Sequence, residues 1–235
     1  MDIVYLLKDT LKNEELVYSL RGLENIPHDN VFLVGGCPSE INKSRVIHFQ
    51  VKQTSNKYRN TTNGLKLICQ DPRLSEEFIL MNDDFFILKP IKDPEKELNL
   101  TRGPIETVLK EYTDRYGADA NSYILGMRQT KIFLEDYGIK NPLSYELHIP
   151  TVMAKNKVLR ALSLPHIESL QVIHKRTIYG NLFKKDPQYT EDVKVRRRVY
   201  WPIYNDKFLS TEDDTWEYVK PYIKQKFPNK SYYEI

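Results

Sequence analysis

The tripeptide Asn82-Asp83-Asp84 stands between two hydrophobic runs, Phe78-Ile79-Leu80-Met81 before it and Phe85-Phe86-Ile87 after it. Flanks of that kind hold a short polar turn rigidly, so two neighbouring carboxylates are fixed side by side. They repel each other in the absence of a cation. Mg²⁺ or Mn²⁺ bridging to a diphosphate would neutralise the pair and stabilise a departing nucleotide. On this reading Asp83 and Asp84 are candidate metal ligands, Asp84 is also a candidate catalytic group, and Asn82 is placed to touch the donor. The plain alternative is a strand-connecting turn, where Asn and Asp are common.

Two further groups have chemical potential. Lys57, Arg59 and Asn60 open an expected helix, where backbone N–H groups and cationic side chains suit a diphosphate or sugar hydroxyls; a solvated basic turn gives the same letters. Lys194-Val195-Arg196-Arg197-Arg198 puts four cations in five residues and is followed by Tyr200 and Trp201. Such a run attracts polyanions and its aromatic neighbours could stack on bases, so Arg196, Arg197 and Arg198 are candidate acceptor contacts, DNA included. A solvated edge strand, with cations that discourage aggregation, is the other reading.

The elements that must position these residues follow from periodicity. Asp2 to Leu7 reads as a strand and Asn13 to Glu24 as a helix, with Leu16, Leu20 and Leu23 at helical spacing. Val31 to Val34, ending at Gly35-Gly36, and Val46 to Val51 read as strands, Lys57 to Gln70 as a helix stopped by Asp71-Pro72, and Phe78 to Met81 as a short buried strand that delivers the acidic turn to the surface. Alternating strands and helices predict a mostly parallel sheet, whose ligands bind beyond the carboxyl ends of the strands. From Pro104 the pattern turns helical, with helices expected at 104–116, 129–137, 152–162 and 166–181. A strand is expected at Tyr145 to Ile149, another at Lys207 to Ser210, and a last helix at Asp213 to Phe227 that Pro221 should kink or break. No internal repeat or low-complexity linker is visible. The expectation is one domain over 1–235, with 1–103 as the donor- and metal-binding α/β part and 104–235 as a helical acceptor-side part.

Composition bounds the reading. A chain of 235 residues, 40% hydrophobic and 29% charged, can bury a real core. Its net charge of +3 is too small to demand a nucleic-acid partner. Cys37 and Cys69 have no metal-type spacing, and the apolar start at Met1 to Leu7 is too short to span a bilayer and lacks a basic leader. A reducing, cytoplasmic setting is the simpler expectation.

Several segments, in order, resemble the Stealth family of sugar-phosphate transferases, which includes bacterial capsular polysaccharide phosphotransferases. The first family region is similar to Asp2-Ile3-Val4-Tyr5, with Asp9 at its second aspartate. The second is similar to Glu15 to Arg21 and, most specifically, to Leu74-Ser75-Glu76-Glu77-Phe78-Ile79-Leu80-Met81-Asn82-Asp83-Asp84-Phe85-Phe86. The third is similar to His148-Ile149-Pro150, and the last to Lys207 to Asp214 with Phe227 to Glu234. The resemblance implies a GT-A-like sandwich and transfer of a sugar or sugar-1-phosphate from a UDP-type donor to a glycan or polysaccharide hydroxyl, with Mg²⁺ or Mn²⁺. It implies a donor contact at Asp9 and favours one at Arg21, which by its place in an apolar helical stripe either pairs with an internal carboxylate or points at the donor. It implies a ligand or acid/base role for His148 over a core histidine, a phosphate clamp at Arg176 over a surface helix residue, and a metal ligand at Asp213 over a helix-capping acid. A bacteriophage-type DNA glycosyltransferase and a non-catalytic sugar-nucleotide or glycan-binding module are the competing functions.

Overall fold

The structure, a computed structural model, describes residues 1–117, 121–196, 206–212 and 214–235. Arg197, Arg198, Tyr200, Trp201 and Asp213 lie outside the described residues. The chain opens with β1 (Asp2–Leu7), α1 (Glu14–Gly22), β2 (Val31–Gly35), β3 (Ile47–Phe49), α2 (Lys57–Ile68) and β4 (Glu77–Met81). It continues with β5 (Phe85–Ile87), α3 (Pro94–Glu97), β6 (Leu100–Thr101), α4 (Ile105–Tyr116) and α5 (Ser122–Asp136). The rest comprises β7 (Thr151–Ala154), α6 (Lys155–Ala161), α7 (Lys175–Phe183), β8 (Gln188–Tyr189), β9 (Lys194–Val195), β10 (Phe208–Thr211) and α8 (Trp216–Lys226).

The central sheet has the order β3-β2-β1-β4-β7; its first four strands are parallel and β7 runs antiparallel to β4. Strands β1, β2 and β4 are apolar on both faces, as strands covered on both sides must be. Val4, Leu6, Phe32, Val34, Phe78 and Leu80 join a core shared with α2, α4, α5 and α7. Ile3, Tyr5, Val31, Leu33, Ile79 and Met81 join a second core against α1. The fold is the α/β class expected, with a mostly parallel sheet and a largely helical C-terminal part.

A second, three-stranded sheet, β5-β10-β9, stands beside the end of β4. Its register sets Phe85 opposite Ser210 and Ser210 opposite Lys194. Beneath it, the Tyr5 hydroxyl donates to Ser19 Oγ at 2.9 Å and Ser19 Oγ donates to the Phe85 carbonyl at 2.6 Å, tying β1, α1 and β5 together just after the acidic turn.

Several boundaries differ from the expected ones. Residues 151–154 pair with β4 and form β7, so the helix expected from Val152 starts only at Lys155; β-branched Thr151 and Val152 suit that sheet edge. Tyr145 to Ile149, expected as a strand, forms none. It is held away from the sheet by bonds from Tyr145 N to Thr177 Oγ1 (3.1 Å) and from His148 N to Asp192 Oδ1 (3.2 Å). His166 takes a left-handed conformation (φ 63°), which splits the helix expected at 166–181 into a short 3₁₀ turn and α7. Asn121 caps α5 through Ile124 N at 3.1 Å, so that helix begins well before Gln129. Helix α8 runs through Pro221, because buried Trp216, Val219 and Ile223 anchor it on both sides of the missing N–H.

Candidate active site

The parallel strands end at a cleft made of two adjoining cavities. One, of about 480 Å³, covers the carboxyl ends of β1 and β2 and is lined by Leu7, Lys8, Gly35, Gln53, Asn60, Asp83 and Asp84. The other, of about 430 Å³, lies toward the helices and is lined by Tyr58, Tyr112, Tyr123, Glu146, His148, Lys175, Arg176 and Arg196. Leu6, Lys57, Thr61, Asn82 and Lys194 line both, so they form the seam. Gly35 keeps the first cavity's floor low: at φ 107° it adopts a conformation L side chains avoid, and a Cβ there would meet the Leu7 carbonyl oxygen at 2.2 Å.

The acidic turn is half-buried on the cavity floor and not delivered to open surface as the sequence suggested. Asn13 caps α1 with its side-chain oxygen, bonded to Leu16 N at 3.0 Å, and donates its amide to Asp83 Oδ2 at 2.6 Å. Burial, and after it the charge of Asp84, push the Asp83 carboxyl above its ordinary value. Asp84 Oδ2 accepts from Lys194 Nζ at 3.2 Å and from Ser210 Oγ at 2.9 Å. The register of the small sheet is what brings those two donors together.

His148 arrives because β7 is antiparallel to β4. Thr151 pairs with Leu80, so the residues just before β7 lie beyond the carboxyl end of β4, beside Asn82. The His148 ring stands edge-on to Phe85 (centroids 6.2 Å), and its Nδ1 bonds both Asp192 oxygens at 2.9 and 3.0 Å. Burial lowers the imidazole's proton affinity below the ordinary histidine value, against the pull of Asp192. A neutral ring donating Nδ1–H to Asp192 leaves Nε2 as an acceptor, the arrangement a general base needs. Burial alone would raise Asp192, but His148, Arg196 and Arg102 hold it far below the carboxylate range. Arg196 reaches Asp192 Oδ2 at 2.7 Å, and Arg102 lies at 4.0 Å.

Arg176, at the start of α7, joins the two walls. Its guanidinium donates to Asn82 Oδ1 at 3.1 Å and to the Leu147 carbonyl at 3.3 Å, and it lies 5.0 Å from the Phe85 ring centre. It is buried, not a surface helix residue, and burial lowers its pKa.

The cleft therefore gathers Asn82, Asp83, Asp84, His148, Arg176, Lys57, Asn60 and Arg196 from the expected set. Arg59 is exposed at the start of α2, with its backbone N–H capped by Asn56, and lines neither cavity; Asp9 is likewise exposed and outside both. Arg21 requires a correction. It projects from the far end of α1 to the C-terminal tail, where it pairs with Glu234 at 2.7 Å, donates to the Phe227 carbonyl at 2.9 Å and stacks on Tyr18. It clamps the tail and does not face the cleft. Of the run from Lys194, the two described cations, Lys194 and Arg196, point inward to Asp84, Asp192 and Glu212.

Sequence reasoning missed Asn13, Asp192, Lys175 and the role of Lys194. The signal for two of them was present in Asp192-Val193-Lys194-Val195-Arg196, where alternation puts three charges on one face and buried Val193 and Val195 on the other. That face looks into the cleft and not into solvent.

Among the described residues no three His, Cys, Asp or Glu side chains gather as a complete metal cage. The pair Asp83 and Asp84 nonetheless suits Mg²⁺ or Mn²⁺, which one or two carboxylates commonly hold together with water and substrate phosphates. Burial first, and the neighbouring Asp84 charge second, raise the Asp83 pKa, and a cation would relieve the second of these. Among the described residues no helix is long and apolar enough to cross a membrane.

Among solved structures the chain is similar to the galactosyltransferase LgtC, in a crystal structure with donor and acceptor sugar analogs, at 10% identity and a TM-score of 0.48. That match covers 98% of this chain and 96% of the other. No protein-family model and no curated protein matches the sequence, so the resemblance to the Stealth family stands on the segments quoted above.

Proposed function

We propose that the protein transfers a sugar, or a sugar-1-phosphate, from a nucleotide-sugar donor of the UDP type to an acceptor hydroxyl of a glycan or polysaccharide. The observation that carries this is the convergence, across one seam, of the Asp83/Asp84 pair with the His148–Asp192 dyad. The donor occupies the cavity over β1 and β2, with Asn60, Lys57 and Asn82 along it, and the acceptor enters from the helical side.

His148 Nε2 takes the proton of the acceptor hydroxyl, while Asp192 fixes the ring through Nδ1 and stabilises the imidazolium that forms. The acceptor oxygen then bonds to the donor's anomeric carbon, releasing a nucleoside diphosphate, or to its β-phosphorus, releasing a nucleoside monophosphate. A divalent cation bound by Asp83 and Asp84 would supply charge neutralisation at the departing phosphate. Lys194, at the seam, adds a fixed positive charge next to the same place. Arg176 holds Asn82 and the Leu147–His148 segment at a constant separation, which keeps base and donor aligned.

The inward pairing of Lys194 and Arg196 favours a small or glycan acceptor over DNA. Calorimetric titration of UDP and UMP, with and without Mn²⁺, tests the donor half of the reading. Mn²⁺-enhanced UDP binding that Asp84→Asn removes is the expected result; no binding of any nucleoside diphosphate would contradict it.

A further inference from the structure

The helical cavity has a cation, Lys175, that the chemistry above does not use, beside Arg176 and Lys57, which it does. Lys175 is half-buried at the first turn of α7, and its ammonium donates only to a neutral hydroxyl, Thr61 Oγ1, at 3.0 Å. Its neighbour Arg176 is 7% exposed, bonds only neutral oxygens, and has a buried Nε with no acceptor. Neither makes an ion pair among the described residues, although buried charges in proteins are ordinarily paired. Lys57, exposed at the seam, has the Tyr58 ring 5.3 Å away and adds a third cation to the rim of the cavity. The nearby carboxylate, Glu146, is turned to His174 Nδ1 (3.7 Å) and to Thr177 N (3.2 Å). Burial outweighs Glu146 and pushes Lys175 down to about 8, the mark of an ammonium without enough counter-charge.

The cavity is also lined by aromatic rings. Tyr123 packs edge-on against His174 (4.6 Å between centroids) and touches Tyr58 and Tyr112, so the cavity combines flat apolar surface with cations. A sugar ring with one negative substituent matches both. We infer that this cavity is a subsite for an acidic acceptor, a sugar bearing a phosphate or a carboxylate, whose anion sits between Lys175, Arg176 and Lys57. The assignment rests on the transferase reading for its word "acceptor", since the same cations could otherwise serve the donor's diphosphate. Lys175 lines the helical cavity and not the one that holds Asp83 and Asp84, which favours the acceptor.

The test uses glucose 6-phosphate, glucuronate and glucose as probes, titrated by NMR into the whole protein, with UDP and Mn²⁺ measured in parallel. The wild type should bind the two anionic sugars at least about tenfold more tightly than glucose. Lys175→Met should lose that preference, Lys175→Arg should keep it, and UDP affinity should change by less than about twofold in both. Equal binding of charged and neutral sugars, or a preference that survives Lys175→Met, would overturn the inference. An equal loss of UDP affinity in Lys175→Met would also overturn it, by assigning the cations to the donor. Anion preference in a protein that binds no nucleotide would uphold the anion site while removing the transferase reading.

Discussion

Lys194 Nζ lies 3.2 Å from Asp84 Oδ2, so a lysine of the small sheet sets a positive charge directly on the second carboxylate of the acidic turn. Both side chains are largely shielded from water, at 17% and 15% exposure, so the attraction is not a screened surface pair. Lys194 therefore competes with any divalent ion for Asp84. Lys194→Met should raise the affinity for Mn²⁺ in the absence of nucleotide by about tenfold, a change of about 1.4 kcal/mol. Mn²⁺ titration followed by electron paramagnetic resonance measures this directly; unchanged affinity would show that the lysine and the ion do not share a site.

Asp83 and Asp84 contribute charge more than packing. Asp83→Asn and Asp84→Asn should each lower transfer by about two orders of magnitude or more. The folding consequence differs between them. The raised pKa of Asp83 means that its charged form disfavours the fold above the ordinary carboxylate range, so Asp83→Asn should hold or raise the melting temperature at neutral pH. A clear fall in melting temperature there would mean that the carboxylate has a structural partner that the Asn13 bond does not account for.

His148 acts as a base only when neutral. Its folded pKa is below the ordinary histidine value, so activity should rise with pH through a midpoint below about 6.5 and then level off. Asp192→Asn removes the influence that raises that pKa, so the surviving activity should have its acid limb at still lower pH, with a lower plateau. His148→Ala should cost at least about tenfold in turnover with little change in melting temperature. A pH profile for Asp192→Asn that overlays the wild type would remove Asp192 from its positioning role.

Arg21 gives the opposite pattern. Its pair with Glu234 is buried on both sides, at 12% and 6% exposure, and breaking it leaves a buried carboxylate without its partner. Arg21→Ala should destabilise the fold by about 3 kcal/mol, measured by urea unfolding, with nucleotide affinity changed less than about twofold. A loss of nucleotide affinity without a loss of stability would return Arg21 to the donor site.

The sheet and its acidic turn were legible because β1, β2 and β4 are continuous apolar runs closed by Gly35-Gly36 and Asn82, signals that depend on neighbours in sequence. β7 was not, because Val152-Met153-Ala154 fits either a helix or a strand and only the edge of β4 decides between them. The same dependence hid Asp192: nothing local shows that its partner is His148, 44 positions earlier. Arg21 misled for a related reason. A cation in an apolar helical stripe announces a buried partner, but not whether that partner is a ligand or a glutamate at the other end of the chain.

The central claim is that the cleft turns over a nucleotide sugar. Purified protein incubated with a panel of nucleotide sugars and Mn²⁺, with and without glycan or sugar-phosphate acceptors, should release nucleotide faster when an acceptor is present, and Asp84→Asn and His148→Ala should not. Release of a nucleoside diphosphate would mark glycosyl transfer, and release of a monophosphate would mark sugar-phosphate transfer. Release of neither from any donor, by a protein that still binds nucleotide, would contradict the account and leave a binding module in its place.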